Sequence, residues 1–82
     1  MSGMPVPLPM SLLRIQLEGT HLTRSEQAVL RLIALGYTQP EAAEKLGKGL
    51  ETVRSQTRSA RARLGAKTNA QAVAIAVSLD MI

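Results

Sequence analysis

The stretch Thr38–Leu64, TQPEAAEKLGKGLETVRSQTRSARARL, decides how this chain is read. It opens on Thr38-Gln-Pro-Glu41, where a Thr hydroxyl and a Glu three residues later can satisfy the free N–H groups of a helix start. Pro40 is acceptable there, because the first turn has no N–H bond to lose. Ala42, Ala43 and Leu46 give this helix one apolar face, and the alanines let another helix approach closely. Gly47-Lys48-Gly49 forms a turn, and a second helix starts near Leu50 or Glu51 and runs to Leu64, where Gly65 ends it. In that second helix Val53, Thr57, Ala60 and Leu64 recur at steps of four, three and four, a narrow buried stripe. Arg54, Arg58 and Arg61 share another face, and no acidic residue lies between Thr52 and Leu79 to neutralise them. Two short helices ending in a basic one are the outline of a helix-turn-helix.

The segments on either side carry the same kinds of signal. Thr23-Arg-Ser-Glu26 is a capping box that opens a helix to about Leu35, with Val29, Leu32 and Ile33 inward and Gly36 as the left-handed stop. Thr68-Asn-Ala-Gln71 is a third box, opening a helix to about Met81. This last helix is apolar on most sides: Val73 and Val77 share one face, Ile75, Leu79 and Ile82 another, and alanines fill the gaps. A helix of that kind needs cover on most sides, and the smallness of the domain implies a second copy as the cover. Ahead of all this, residues 1–21 read as an N-terminal extension. Pro5, Pro7 and Pro9 alternate in an extended leader, and SLLRIQLEG (residues 11–19) fits a short helix slightly better than a lone strand. Residues 22–82 are the domain.

Composition narrows the function. Eighty-two residues make one small domain, and the absence of cysteine excludes both disulfides and thiolate zinc sites. Tyr37 is the one aromatic residue, so the core is aliphatic and the class all-α. Ten Lys/Arg against six Asp/Glu give a formal charge of +4, which suits a polyanion. Arg54, Arg58, Arg61, Arg63 and Lys67 fall within fourteen residues, a density that favours nucleic acid over a merely solvated face. Enzymatic chemistry has little to work with: one His, one Asp, no Cys and no paired carboxylates in a pocket-forming setting. His21 reads as a surface or packing residue, and no metal or cofactor is called for. No apolar run spans a bilayer and the start lacks the pattern of a secretory signal, so a cytoplasmic protein is expected.

A helix-turn-helix needs a small residue where its helices cross, a flexible residue in the turn and a β-branched anchor in the second helix; Ala43, Gly47 and Val53 supply them in that order. With these in place, residues 22–76 resemble the helix-turn-helix domain of the LuxR/GerE family of bacterial regulators. The segments that carry the likeness are LTRSEQAVLRLIALGYT, EAAEKLG, ETVRS and ARLGAKTNAQAVAIA, and the span they lie in, residues 22–76, is about two-thirds of the chain. The resemblance implies a four-helix domain whose third helix reads the DNA major groove and whose fourth forms a homodimer. With about twenty residues ahead of the domain, the chain is similar to small free-standing members of the GerE kind. The resemblance places base contacts at Arg54, Ser55 and Arg58 and phosphate contacts at Thr38, Gln39, Thr52, Arg61 and Lys67. It places the dimer interface at Val73, Ile75, Ala76, Val77, Leu79 and Ile82. Four positions depart from the family pattern: Lys48 for an isoleucine, Gly49 for a Ser or Thr cap, Gln56 for a His, and Ser25 for an Arg.

The expected function is therefore a homodimeric, sequence-specific transcriptional regulator. Two alternatives stand beside it. One is a protein-binding antagonist of a larger regulator that keeps the fold, suggested by the altered turn and the apolar last helix. The other is a module like region 4 of sigma factors, which shares the basic helix but not the apolar fourth helix. The implied partners are double-stranded DNA, a second copy, and a larger regulator or polymerase subunit, with no membrane involved.

Overall fold

The computed structural model describes residues 21–82; the proline-rich leader and the short helix expected over residues 11–19 lie outside them. Four α-helices and no strand make up the described residues: α1 Arg24–Ala34, α2 Gln39–Leu46, α3 Leu50–Leu64 and α4 Asn69–Ser78. The capping boxes of α1 and α2 are both complete, with Thr23 accepting from Glu26 N and Glu26 accepting from Thr23 N, and Thr38 and Glu41 doing the same. Those bonds to Thr38 hold the Glu41 carboxyl below the usual carboxylate range, so its share of the cap is present at neutral pH and fades as acid protonates it. The third box is only half made. Thr68 accepts from Gln71 N, but the Gln71 amide reaches one residue further back, to Lys67 N at 2.7 Å.

α1 and α3 each pack against all three other helices, and α2 and α4 flank them on opposite sides. Two apolar clusters result. Val29, Ala42, Ala43 and Val53 join α1, α2 and α3, with Leu32, Ile33 and Leu46 around them. Leu22, Leu30, Ala60, Leu64, Ala72 and Ala76 join α1, α3 and α4. This arrangement explains why the inward set on α1 is wider than periodicity suggests. Val29 serves one cluster and its neighbour Leu30 the other, and both are fully buried. The stripe of α3 is buried as its spacing implies, Val53, Thr57, Ala60 and Leu64 all lying inside.

The fourth helix differs from expectation at its end. It ends at Ser78 instead of near Met81, closed by Asp80 at φ 56, and the chain then turns back so that Met81 and Ile82 pack on the α1–α3–α4 cluster. Its own chain also covers much of it. Ala72 and Ala76 are fully buried, and Val73 and Ile75 are half-buried against the same cluster. Alanine is small enough for α4 to sit close to α1 and α3, which is how so short a chain covers one whole side of the helix.

The α2–α3 turn, where the sequence departs most from the family, is regular. Gly47 takes the left-handed conformation at φ 64, Lys48 N–H bonds Ala43 C=O at 2.9 Å, and Gly47 N–H bonds Glu44 C=O at 3.2 Å. That pair of bonds is a Schellman closure, and it uses only the backbone of residue 48. Gly49 caps α3 in extended conformation without a side-chain bond. A Cβ at Gly47 would meet no atom within 4 Å, so the cost of Gly47→Ala is conformational alone. We expect that variant to lose about 1–2 kcal/mol in chemical denaturation, with the circular dichroism of the folded state unchanged.

Candidate nucleic-acid interface

With one side of α3 buried, the opposite side is defined by the same spacing. Glu51, Ser55, Arg58 and Ala62, at steps of four, three and four, form an exposed outer ridge opposite Val53, Thr57, Ala60 and Leu64. Arg54 and Arg61 lie on one flank of that ridge, Thr52 and Ser59 on the other. The helix is held in this rotation by more than apolar contact. Thr57, the polar member of the buried stripe, donates its hydroxyl to Arg54 C=O at 2.9 Å and accepts from Gln39 Nε2 at 3.0 Å. Gln39 is the first residue of α2, so this bond ties the start of one helix to the middle of the next.

The three residues expected at base edges, Arg54, Ser55 and Arg58, are all exposed on α3 and adjacent to one another. Those expected at phosphates are in more varied settings. Thr52 and Lys67 are exposed. Thr38 is exposed but its oxygen already caps α2. Gln39 donates one of its two side-chain amide N–H groups to Thr57, which braces the helix pair within the chain and leaves its second donor over. Arg61 is half-buried and donates to Asn69 Oδ1 at the start of α4.

The sequence also suggests an arginine stripe without acidic partners, and the fold supplies two such partners. Glu51 in the first turn of α3 pairs with Arg54 at 3.0 Å. Glu26, 4% exposed, pairs across the domain with Arg63 at 3.1 Å while its carboxylate also accepts from Thr23 N. The first contact rests on a spacing of three; the second spans 37 residues and exists only because α1 and α3 pack together. Arg58 has no ion pair among the described residues. Gln56, standing where the family often has His, is half-buried with its Oε1 unpartnered among the described residues.

The residues expected at a dimer interface divide. Ala76 is fully buried in its own chain, because α4 packs closely on α1 and α3. Val73, Ile75, Leu79 and Ile82 are half-buried, and Val77 is 53% exposed. A residue missed in sequence stands beside them. Leu35, at the end of α1, is 74% exposed, and with Ala34, Val77 and Ile82 it lines a shallow apolar depression edged by Arg31. Its position after the last inward residue of α1 had marked it only as part of a helix end.

Comparison with known proteins fits this geometry. The family model described as bacterial regulatory proteins, luxR family, matches residues 20–76. The chain belongs to the LuxR family. A relative in Corynebacterium glutamicum, the HTH-type transcriptional activator RamA, is 50% identical over 54 residues, 66% of this chain. The chain spans only 19% of that relative's length. No solved structure matches. The LuxR-family chain has no helix among its described residues long and apolar enough to cross a membrane.

If Gln39 braces the domain, Gln39→Ala should lower its stability by about 1 kcal/mol in the absence of any ligand. Urea denaturation measures this directly, and an unchanged midpoint would return Gln39 to a purely external role.

Proposed function

We propose that this domain binds double-stranded DNA as a homodimer and regulates transcription in the cytoplasm, with α3 in the major groove. The observation that carries the reading is the outer ridge of α3. Ser55 and Arg58 stand on it, Arg54 and Arg61 flank it, and the opposite side of the helix is wholly buried, so the basic surface is presented by a helix that cannot rotate. Family membership and the name of the RamA relative support the same reading.

Roles follow from donor chemistry. An arginine fork matches guanine O6 and N7, so Arg58 and Arg54 read bases, and the Ser55 hydroxyl can donate to or accept from either strand. Thr52, Lys67, the Thr38 hydroxyl hydrogen and the Gln39 backbone N–H, which the capping box leaves over, grip phosphates, and this fixes register without reading sequence. Arg61 does the same from the flank with the guanidinium nitrogens that Asn69 leaves available. The second copy docks on the apolar surface at the ends of α1 and α4, built from Leu35, Val77, Leu79 and Ile82. Two copies related by a two-fold axis then present their α3 helices to half-sites about 10 base pairs apart.

Arg58→Ala should weaken binding to the selected site by about 1–3 kcal/mol, whereas Lys67→Ala should weaken all sequences alike and reduce the salt dependence by about one charge. Fluorescence anisotropy across a salt series reads both, and equal binding by wild type and Arg58→Ala would sink the assignment. Sedimentation should show a dimer that Leu35→Glu or Val77→Glu converts to a monomer. A wild-type monomer at tens of micromolar, or a dimer indifferent to both changes, would reject this interface.

A further inference from the structure

Glu51 is an acid at the leading end of a surface otherwise suited to an anionic partner. It lies at the N-terminal end of the outer ridge of α3, one turn before Arg54 and Ser55 and two before Arg58, its side chain 84% exposed, and its Oε1 accepts from Arg54 Nη1 at 3.0 Å. As a structural feature it has a modest account: a carboxylate complements the positive end of the helix, and an exposed ion pair contributes little to stability. Neither explains its place on the ridge. On that ridge a carboxylate is repelled by phosphates and, being acceptor-only, by guanine O6 and N7 and by thymine O4. In the major groove only the amino groups of cytosine and adenine can donate to it. Adenine sets its N7 acceptor beside that amino group, whereas cytosine presents the donor alone.

We propose that Glu51 is a specificity-determining residue, accepting from the N4 amino group of a cytosine beside the guanine taken by Arg54 while steadying the Arg54 guanidinium. The spacing fits. Three residues along a helix advance about 4.5 Å, on the order of one base-pair step of about 3.4 Å, so the two side chains address neighbouring pairs. Arg54 keeps enough donors for its guanine, because the guanidinium has five N–H groups and Glu51 engages one. The inference rests on the DNA-binding reading above and adds to it the base that an acid selects.

The test is selection of bound duplexes from a random pool by the full chain, the Glu51→Ala variant and the isosteric Glu51→Gln variant, with circular dichroism confirming that each is folded. Wild type should select a half-site with cytosine next to guanine. Glu51→Ala should keep the guanine and lose preference at its neighbour, and its affinity for random sequence should hold or rise. Measured directly, changing that cytosine to thymine should weaken wild type by roughly 5- to 150-fold and Glu51→Ala hardly at all. Glu51→Gln, which regains a donor, should accept thymine or guanine there. A wild-type consensus that Glu51→Ala leaves unchanged at every position overturns the inference and spares the DNA-binding reading. A wild type that selects no consensus overturns both.

Discussion

The burial of one side of α3 is the constraint on which the rest of this structure depends. Val53 enters the cluster with α1 and α2, Ala60 and Leu64 enter the cluster with α1 and α4, and Thr57 sits between them. A helix gripped by two clusters along its length has one permitted rotation, because turning it by a single residue would expose Val53 and bury an arginine. Removing a buried aliphatic side chain from water contributes about 1.5–3 kcal/mol, and burying an unpaired guanidinium costs several. The outer ridge is therefore set by what lies beneath it.

Polar bonds refine that orientation where apolar contact would be indifferent. The buried Thr57 hydroxyl has both a donor and an acceptor partner, and the Gln39 bond makes α2 and α3 one unit despite the cap-less start of α3 at Gly49. The Glu26 carboxylate does similar work at the other end, holding both the first turn of α1 and Arg63 near the end of α3. Within the basic helix the arginines thus have separate tasks. Arg63 is committed to the fold and Arg61 is drawn towards α4, while Arg54 and Arg58 remain on the exposed side. Counting positive charges along α3 would overstate what is available to a partner.

The turn between α2 and α3 shows how a departure in sequence can leave the backbone untouched. Its geometry depends on the left-handed conformation of Gly47 and on two main-chain bonds, neither of which consults the side chain at position 48. At the C-terminus the reverse holds. Nothing in the apolar pattern of residues 69–81 marks an end before Met81, yet Asp80 adopts the left-handed conformation and returns Met81 and Ile82 to the core.

By itself the sequence determined the four helices, three of their N-caps, the buried stripe of α3 and the family, because these rest on spacings of three and four residues and on local hydrogen bonds. The pairing of Glu51 with Arg54 rests on the same local spacing, although the stripe is read from the sequence as unpaired. Only the tertiary structure decided that Leu30 and Ala76 lie inside while Leu35 stays outside, that Arg63 is bound to Glu26, and that Gln39 braces Thr57. Those contacts join residues far apart in the chain. They depend on how α1 and α4 close over α3, and no local period records that packing. Thr38–Leu64 carries a legible helix-turn-helix in its sequence, but which of its charges face outward is settled by the helices on either side.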